Sequence, residues 1–351
     1  MAIFFTICAN NYLPEALSLG KSLLRNGLKK DEFIIFLVDK KSPEIDYASF
    51  PFSVIPVDGD IVPGFENIHK KYRIVEFSTA VKPSIFKFLL KQYPTQSHFG
   101  YLDPDLFFFN AVTNVVQELG NDSILLTPHI TKPVALDKKP FENLFLNYGI
   151  YNLGFLLIKA DNNSRAMLDW WETRTLSLGY DQPGNGLFVD QLWTNHVPLF
   201  FNQVKVTKHP GLNCAFWNIH ERVLSKKNDT YFVNENSYLI FFHFSSFDFS
   251  GGRISKGTYT DPDGGMDVFL DIGRQYKQSL IENNIDFYKK IKPAYGISFE
   301  KHMERGLPGI YNSAKVKAIN KILFLLPGGL LRRISNLHEI VSVLKSYKRS
   351  V

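Results

Sequence analysis

Cysteine is almost absent: Cys8 and Cys214 are the only two in 351 residues. Two are too few for a disulfide framework, and the apolar residues around both predict small buried thiols in a reducing compartment rather than a zinc site. No apolar run reaches the roughly 20 residues that cross a bilayer as a helix. The apolar start, Met1 to Cys8, carries no basic leader and is cut short by Asn10, Asn11, Pro14 and Glu15. It reads as a first strand, not a signal peptide. Internal repeats, low-complexity linkers and a glycine-rich phosphate loop after that strand are also missing, and the last of these argues against sugar nucleotidyl transfer.

What is present is a core. Hydrophobic residues make up 45% of the chain and 31 residues are Phe, ample for a folded α/β protein. The net charge is +6 over 40 basic and 34 acidic residues. From Lys289 onward there are 13 basic residues and 3 Glu, so residues 1 to 288 hold 27 basic against 31 acidic, or −4. A nucleic-acid binder would spread basic residues over its folded face. A basic, apolar C-terminal stretch instead suggests an anionic membrane surface, with packing on the body or in a homo-oligomer as the ordinary alternative.

Strand-like and helix-like segments alternate: strands over 2–8, 33–38, 52–57, 98–102 and 123–127, helices over 14–26 and 78–92. Ser78 is the expected N-cap of the second helix. This pattern predicts a mostly parallel central sheet with helices on its faces. A strand over 148–158 with Gly149 and Gly154 near its start, helices over 164–178 and 186–196, and a strand over 238–244 follow. The expected organisation is a catalytic domain over 1–265 and a helical, basic extension over 266–351.

The fourth strand ends in Leu102-Asp103-Pro104-Asp105. Carboxylates two apart in extended chain at the C-terminal edge of a sheet can converge on Mg²⁺ or Mn²⁺, hard cations that share their shell with substrate phosphates. A plain turn is the alternative, and Asp261-Pro262-Asp263-Gly264 reads as one. The first strand ends in Ala9-Asn10-Asn11-Tyr12, a loop at the same edge that is placed to meet a base or ribose, or is only a turn. His243 ends the late strand, followed by Ser245 and Ser246.

Taken in order, Asn10-Asn11-Tyr12, Leu102-Asp103-Pro104-Asp105, Tyr151-Asn152-Leu153-Gly154-Phe155, Val189-Asp190-Gln191 and His243-Phe244-Ser245-Ser246 resemble the motifs of GT-A fold nucleotide-sugar glycosyltransferases. The nearest group is family 8, the glycogenin and galactosyltransferase-like enzymes, with bacterial surface-polysaccharide relatives. The resemblance covers roughly residues 1 to 260. It implies a GT-A sheet and a metal, Mn²⁺ or Mg²⁺, held by Asp103, Asp105 and His243. It further implies donor contacts from Thr6, Ala9, Asn10, Tyr12, Lys82, Asp103, Ser245, Ser246 and Arg253, although relatives often carry Asp where Asn10 stands. Lys82 reads equally as a solvated helix lysine. The relatives' late Lys-Pro-Trp is absent, and Arg253 or Lys256 would replace its charge.

Asn152, Asp190 and Gln191 would sit beside the transferred sugar, each with a structural alternative. His209, Asn213 and Trp217 would shape the sugar or acceptor pocket, or form plain core. The implied partners are a nucleoside diphosphate sugar, UDP-sugar favoured, and a glycan or lipid-linked acceptor, in the cytoplasm or on the inner face of its membrane, without nucleic acid. Retention of configuration would use the amides of Asn152 and Gln191; inversion would use Asp190 or Asp248 as base. A sugar nucleotidyltransferase and a non-catalytic glycan or membrane adaptor remain the competing classes.

Overall fold

A computed structural model describes residues 2–248 and 265–297. Its first seven strands are β1 (Ala2–Cys8), β2 (Phe33–Leu37), β3 (Ser53–Pro56), β4 (His98–Leu102), β5 (Leu106–Phe108), β6 (Ile124–Leu126) and β7 (Phe155–Lys159). The central sheet runs in the order Val204–Val206, β6, β7, β4, β1, β2, β3. Neighbours pair in parallel except around β7, which is antiparallel to both β4 and β6. The mostly parallel, helix-flanked sheet expected from the alternation is therefore present.

The two-residue period of a strand explains the layers. Ile3, Phe5 and Ile7 face one core with Phe86, Leu89 and Trp171, so the helices Lys82–Gln92 and Asn162–Leu178 cover that side. Phe4 and Cys8 face the other, with Leu13, Leu17 and Leu23 of the helix Leu13–Arg25. Phe5 meets Phe36 and Phe86 edge-on at 5.7 and 4.8 Å. Each buried Phe of this kind contributes roughly 2–3 kcal/mol. Both cysteines are buried free thiols, and burial pushes that of Cys214 up to about 11.

β5 leaves the main sheet and pairs antiparallel with the strand Phe241–His243, which runs parallel to Cys214–Ala215. That register sets His243 opposite Leu106. The last residue of the late strand is thus carried beside the Asp-Pro-Asp segment.

Several expected elements differ. The helix over 78–92 is two, Ile74–Ala80 and Lys82–Gln92. Pro83 has no N–H to give to Thr79, so the first helix stops, and Ser78, expected as a cap, donates its hydroxyl back to the Ile74 carbonyl. The strand over 148–158 contracts to β7, because Gly149 at φ 115° follows a short helix, Asn143–Tyr148. No helix covers 186–196: Asp181–Gln182 pairs with Leu187–Phe188 across a turn, and a 3₁₀ segment, Leu192–His196, follows. The strand over 238–244 shortens to Phe241–His243, since Ser237–Tyr238 pairs instead with Thr230–Val233.

The boundary expected after residue 265 falls inside a compact unit that runs to Gly296. The helix Met266–Glu282 buries Ile272, Tyr276 and Leu280 among Phe107, Phe242 and Phe244, and Tyr276 stacks on Phe244 at 4.1 Å. Arg253, Lys256, the second Asp-Pro-Asp segment and the amphipathic stretch after residue 310 lie outside the described residues. Among those described, no helix is long and apolar enough to cross a membrane.

Candidate active site

The Asp-Pro-Asp segment forms a turn that sets both of its carboxylates beside one histidine. Asp103 donates its N–H to the Gly154 carbonyl at 2.7 Å and accepts from Leu106 N–H at 3.1 Å, which ends β4 and starts β5. The Phe244 N–H donates to the Asp105 carbonyl at 2.9 Å, fixing the late strand beside it. His243 Nε2 then lies 3.1 Å from Asp105 Oδ1 and 3.7 Å from Asp103 Oδ2.

Two carboxylates and an imidazole nitrogen, all within 4.8 Å of one another, fit a divalent ion. Such an ion with bonds of about 2.1 Å sets its ligand atoms roughly 3 to 4.2 Å apart. Gly154 supplies the space, because a Cβ there would stand 2.4 Å from His243 Cε1, 2.7 Å from Asp103 Oδ2 and 2.9 Å from Asn152 Oδ1.

Burial raises the Asp103 carboxyl, opposed by the charges of Lys82 and His243, while Tyr101 donates its hydroxyl to Oδ1. Burial alone would lower the His243 imidazolium, but Asp105 and Asp103 outweigh it and raise it. Carboxylates crowded against one imidazole hold a proton or a cation between them.

Behind the clamp lies a buried ion pair. Lys82, the first residue of its helix, is 1% exposed, so it is not a solvated helix lysine. Its Nζ sits 2.6 Å from Asp190 Oδ2, donates to the Leu153 carbonyl at 2.9 Å and lies 3.9 Å above the Tyr101 ring. Burial raises the Asp190 carboxyl and Lys82 opposes it. Val189, a β-branched residue held at φ 41°, turns Asp190 inward at the cost of backbone strain.

The predicted amides meet here too. Gln191 accepts from Leu153 N–H at 2.9 Å and donates to the Tyr148 carbonyl at 2.7 Å. Asn152 Oδ1 accepts from Gly154 N–H at 3.1 Å and Asn213 Nδ2 at 3.0 Å, while its Nδ2 lies 3.3 Å from His129 Nε2. Trp217 packs edge-on against His243 at 5.0 Å and His129 at 5.5 Å. Asn213 and Trp217, expected at a sugar pocket, thus lie against His243.

The remaining predicted residues lie apart from this cluster or at its rim. Thr6 is fully buried inside β1, and its hydroxyl finds no hydrogen-bond partner among the described residues. The Ala9 carbonyl accepts from Tyr12 N–H, closing a 3₁₀ turn. Asn10 is buried and committed: Nδ2 donates to Asp39 at 2.9 Å and the Lys40 carbonyl at 2.8 Å, and Oδ1 accepts from Tyr47. Beside it opens a cavity of about 410 Å³ lined by Asp39, Lys40, Lys41, Lys290 and Lys292. Tyr12 lies closer to the clamp; burial, Asp105 and Glu15 push its phenol up to about 12. Ser245 is half-buried and Ser246 exposed at φ 57°. His209 belongs to a local turn, accepting from Gly211 N–H at 3.1 Å, with Glu118, Arg222 and Lys205 as its charged neighbours.

Sequence reasoning missed Tyr101, Asp39 and His129. His129 stands just past β6 at the strand edge that had already supplied other candidates, a position that would have nominated it.

No protein-family model matches this chain. Two proteins of Bacillus subtilis strain 168 do: YfnF, 29% identical over 172 residues, and YfnD, 28% identical over 179. Each match takes in 49% of this chain and 57% or 54% of the relative. The chain thus spans little more than half the length of these curated relatives, both of them uncharacterised. Solved structures that superimpose on it include glycosyltransferases. The galactosyltransferase LgtC, solved with donor and acceptor sugar analogues, aligns with 78% of this chain and 95% of its own at 15% identity and a TM-score of 0.45. The bifunctional WbbM aligns with 83% of this chain and 52% of its own at 13% identity and 0.45. GlyE of Streptococcus pneumoniae TIGR4 aligns with 85% of this chain and 65% of its own at 14% identity and 0.44.

Proposed function

We propose that this chain is a metal-dependent glycosyltransferase that moves a sugar, a hexose in our reading, from a nucleoside diphosphate sugar, UDP-sugar favoured, to a glycan or lipid-linked acceptor of bacterial surface polysaccharide. The observation that carries this reading is the convergence of Asp103, Asp105 and His243 beside a glycine whose missing Cβ opens the space. When bound there, Mn²⁺ or Mg²⁺ supplies the positive charge that neutralises a departing diphosphate.

The chain's own groups do the rest. Asn152 and Gln191 each keep one amide N–H beyond the bonds described above, available to a sugar hydroxyl or to charge developing at the leaving oxygen. Asp190 is clamped by Lys82 at 2.6 Å. With that oxygen taken up by Lys82, Asp190 would have to leave its partner to accept a proton from an acceptor hydroxyl, which supports retention over inversion. The Lys82 and Asp190 pair would orient the sugar, while the lysines around the cavity at Asn10 would attract the negative donor. Arg253 and the basic C-terminal stretch belong to the same proposal, as a donor contact and as an anchor on the inner membrane face. Deleting residues 310 to 351 should release the protein from anionic vesicles while leaving donor hydrolysis intact; vesicle binding that persists would remove the anchor.

The activity test is UDP release from UDP-sugars with Mn²⁺, followed by NMR of the anomeric proton of the product. Asp103→Asn and Asp105→Asn should each abolish release. Turnover that continues in EDTA would contradict the reading.

A further inference from the structure

One chain of side-chain hydrogen bonds links the clamp to a second histidine. His243 Nδ1 lies 3.2 Å from Asn213 Oδ1, Asn213 Nδ2 lies 3.0 Å from Asn152 Oδ1, and Asn152 Nδ2 lies 3.3 Å from His129 Nε2. At the far end His129 Nδ1 lies 3.2 Å from the Ile150 carbonyl oxygen.

Two backbone groups fix its direction. A carbonyl oxygen only accepts, so His129 Nδ1 carries the proton that points at Ile150. Burial lowers the His129 imidazolium to about 4, so the ring is neutral at physiological pH and its Nε2 accepts. Asn152 must then turn its NH₂ toward His129 and its oxygen toward Gly154, whose N–H independently requires an acceptor there at 3.1 Å. That oxygen takes the Asn213 NH₂, which also reaches Thr127 Oγ1 at 3.1 Å. The Asn213 oxygen is left facing His243.

The backbone that carries the Asn213 amide is held in place. It stands at φ 53°, its carbonyl accepts from Asn218 Nδ2 at 3.0 Å, and the buried Arg222 holds the Leu212 carbonyl before it at 2.7 Å. Reversing the relay would set NH₂ against Gly154 N–H and oxygen against the His129 lone pair. Each reversal leaves a buried donor or acceptor unpaired, at roughly 1–3 kcal/mol apiece.

We propose that His129 is a positioning residue that, through Asn152 and Asn213, locks the neutral His243 as its Nδ1–H tautomer and so aims the Nε2 lone pair between Asp103 and Asp105. The proposal deepens the metal-centre reading and rests on it. A ligating histidine needs its other nitrogen protonated and held, and here the holding group is a polar relay of three side chains, Asn213, Asn152 and His129, rather than a single carboxylate or carbonyl.

The test uses the full chain, metal alone and two variants. His129→Phe keeps an aromatic ring against Phe145 and Trp217 but removes the acceptor for Asn152. His129→Gln keeps an amide that can serve both ends. In metal-free protein labelled with ¹⁵N-histidine at pH 9, with His243→Gln to assign the signal, wild type should show His243 as the Nδ1–H tautomer. His129→Phe should show mixed tautomers and His129→Gln the wild-type pattern. Mn²⁺ titration by EPR should find His129→Phe binding roughly 10–100-fold more weakly, with most of the affinity regained in His129→Gln. Unchanged tautomer and unchanged Mn²⁺ affinity in a folded His129→Phe overturn the relay. Should that variant not fold, a His129→Gln protein with mixed tautomers overturns it too. Wild type that shows the tautomer yet binds no Mn²⁺ more tightly than Asp103→Asn overturns the metal-centre reading instead, and with it the purpose assigned to the relay.

Discussion

A lysine and an aspartate shut away together are a liability unless they stay paired. With Lys82 and Asp190 both about 1% exposed, removing one partner strands a charge in apolar surroundings. Lys82→Met should destabilise the protein by about 3 kcal/mol in urea unfolding, moderated because burial already favours the neutral Asp190. Lys82→Met/Asp190→Leu should recover much of that loss. Losses that simply add would show that the two do not interact. His129 gives a pH prediction. Its imidazole titrates near 6.5 unfolded and about 4 folded, so the unfolded state binds the extra proton between those values. Stability from this residue is therefore full above pH 6.5 and falls by up to about 3 kcal/mol as pH drops to 4. His129→Gln should flatten that part of the acid profile, read as the difference in urea midpoint between variant and wild type at each pH. A difference independent of pH would mean that the ring is already charged in the fold.

At the scale of elements, the segment 289–296 is tied over the ends of β1 and β2. Asp39 is the knot: its carboxylate accepts from Asn10 N–H at 3.2 Å, Asn10 Nδ2 at 2.9 Å and Ala294 N–H at 2.8 Å. Lys289 adds a bond of 2.7 Å to Glu15 and lies 3.9 Å over the Tyr12 ring. Asp39→Ala should speed amide exchange in 10–12 and 289–296 while leaving β4 protected; uniform exchange would place the knot elsewhere. The elements differ in how openly the sequence announces them. β1, β2 and β4 were legible because strands buried on both faces are uninterrupted apolar runs. The segment over 186–196 was misread as a helix because Leu187, Phe188 and Leu192 mimic helical spacing, while Pro183, Gly184 and Gly186 just before them make a hairpin turn and Val189 takes φ 41°. The helix Met266–Glu282 falls within the stretch expected to be a helical extension, but no periodicity says that its apolar face closes the core around Phe242 and Phe244.

At the scale of the whole molecule, the site is a meeting of segments far apart in sequence. The carboxylates of Asp103 and Asp105 were legible because two residues of extended chain suffice to bring them together. His243 was legible only through resemblance, and its approach depends on the pairing of β5 with Phe241–His243. His129, Asn152 and Asn213 converge across spacings of 23 and 61 residues, and no local pattern encodes such contacts. The whole assembly turns on Gly154, where Gly154→Ala should force His243 from Asp103 and weaken Mn²⁺ binding tenfold or more in an EPR titration, with the sheet's circular dichroism unchanged. Unaltered Mn²⁺ affinity would show that the clamp does not need this space.

The most direct test of the central claim is a thermal-shift panel of UDP, GDP, CDP and dTDP, each with and without Mn²⁺, on wild type and on Asp103→Ala/Asp105→Ala. The account predicts stabilisation by UDP only when Mn²⁺ is present, lost in the double variant. Stabilisation that ignores the metal, or survives loss of both carboxylates, would contradict it.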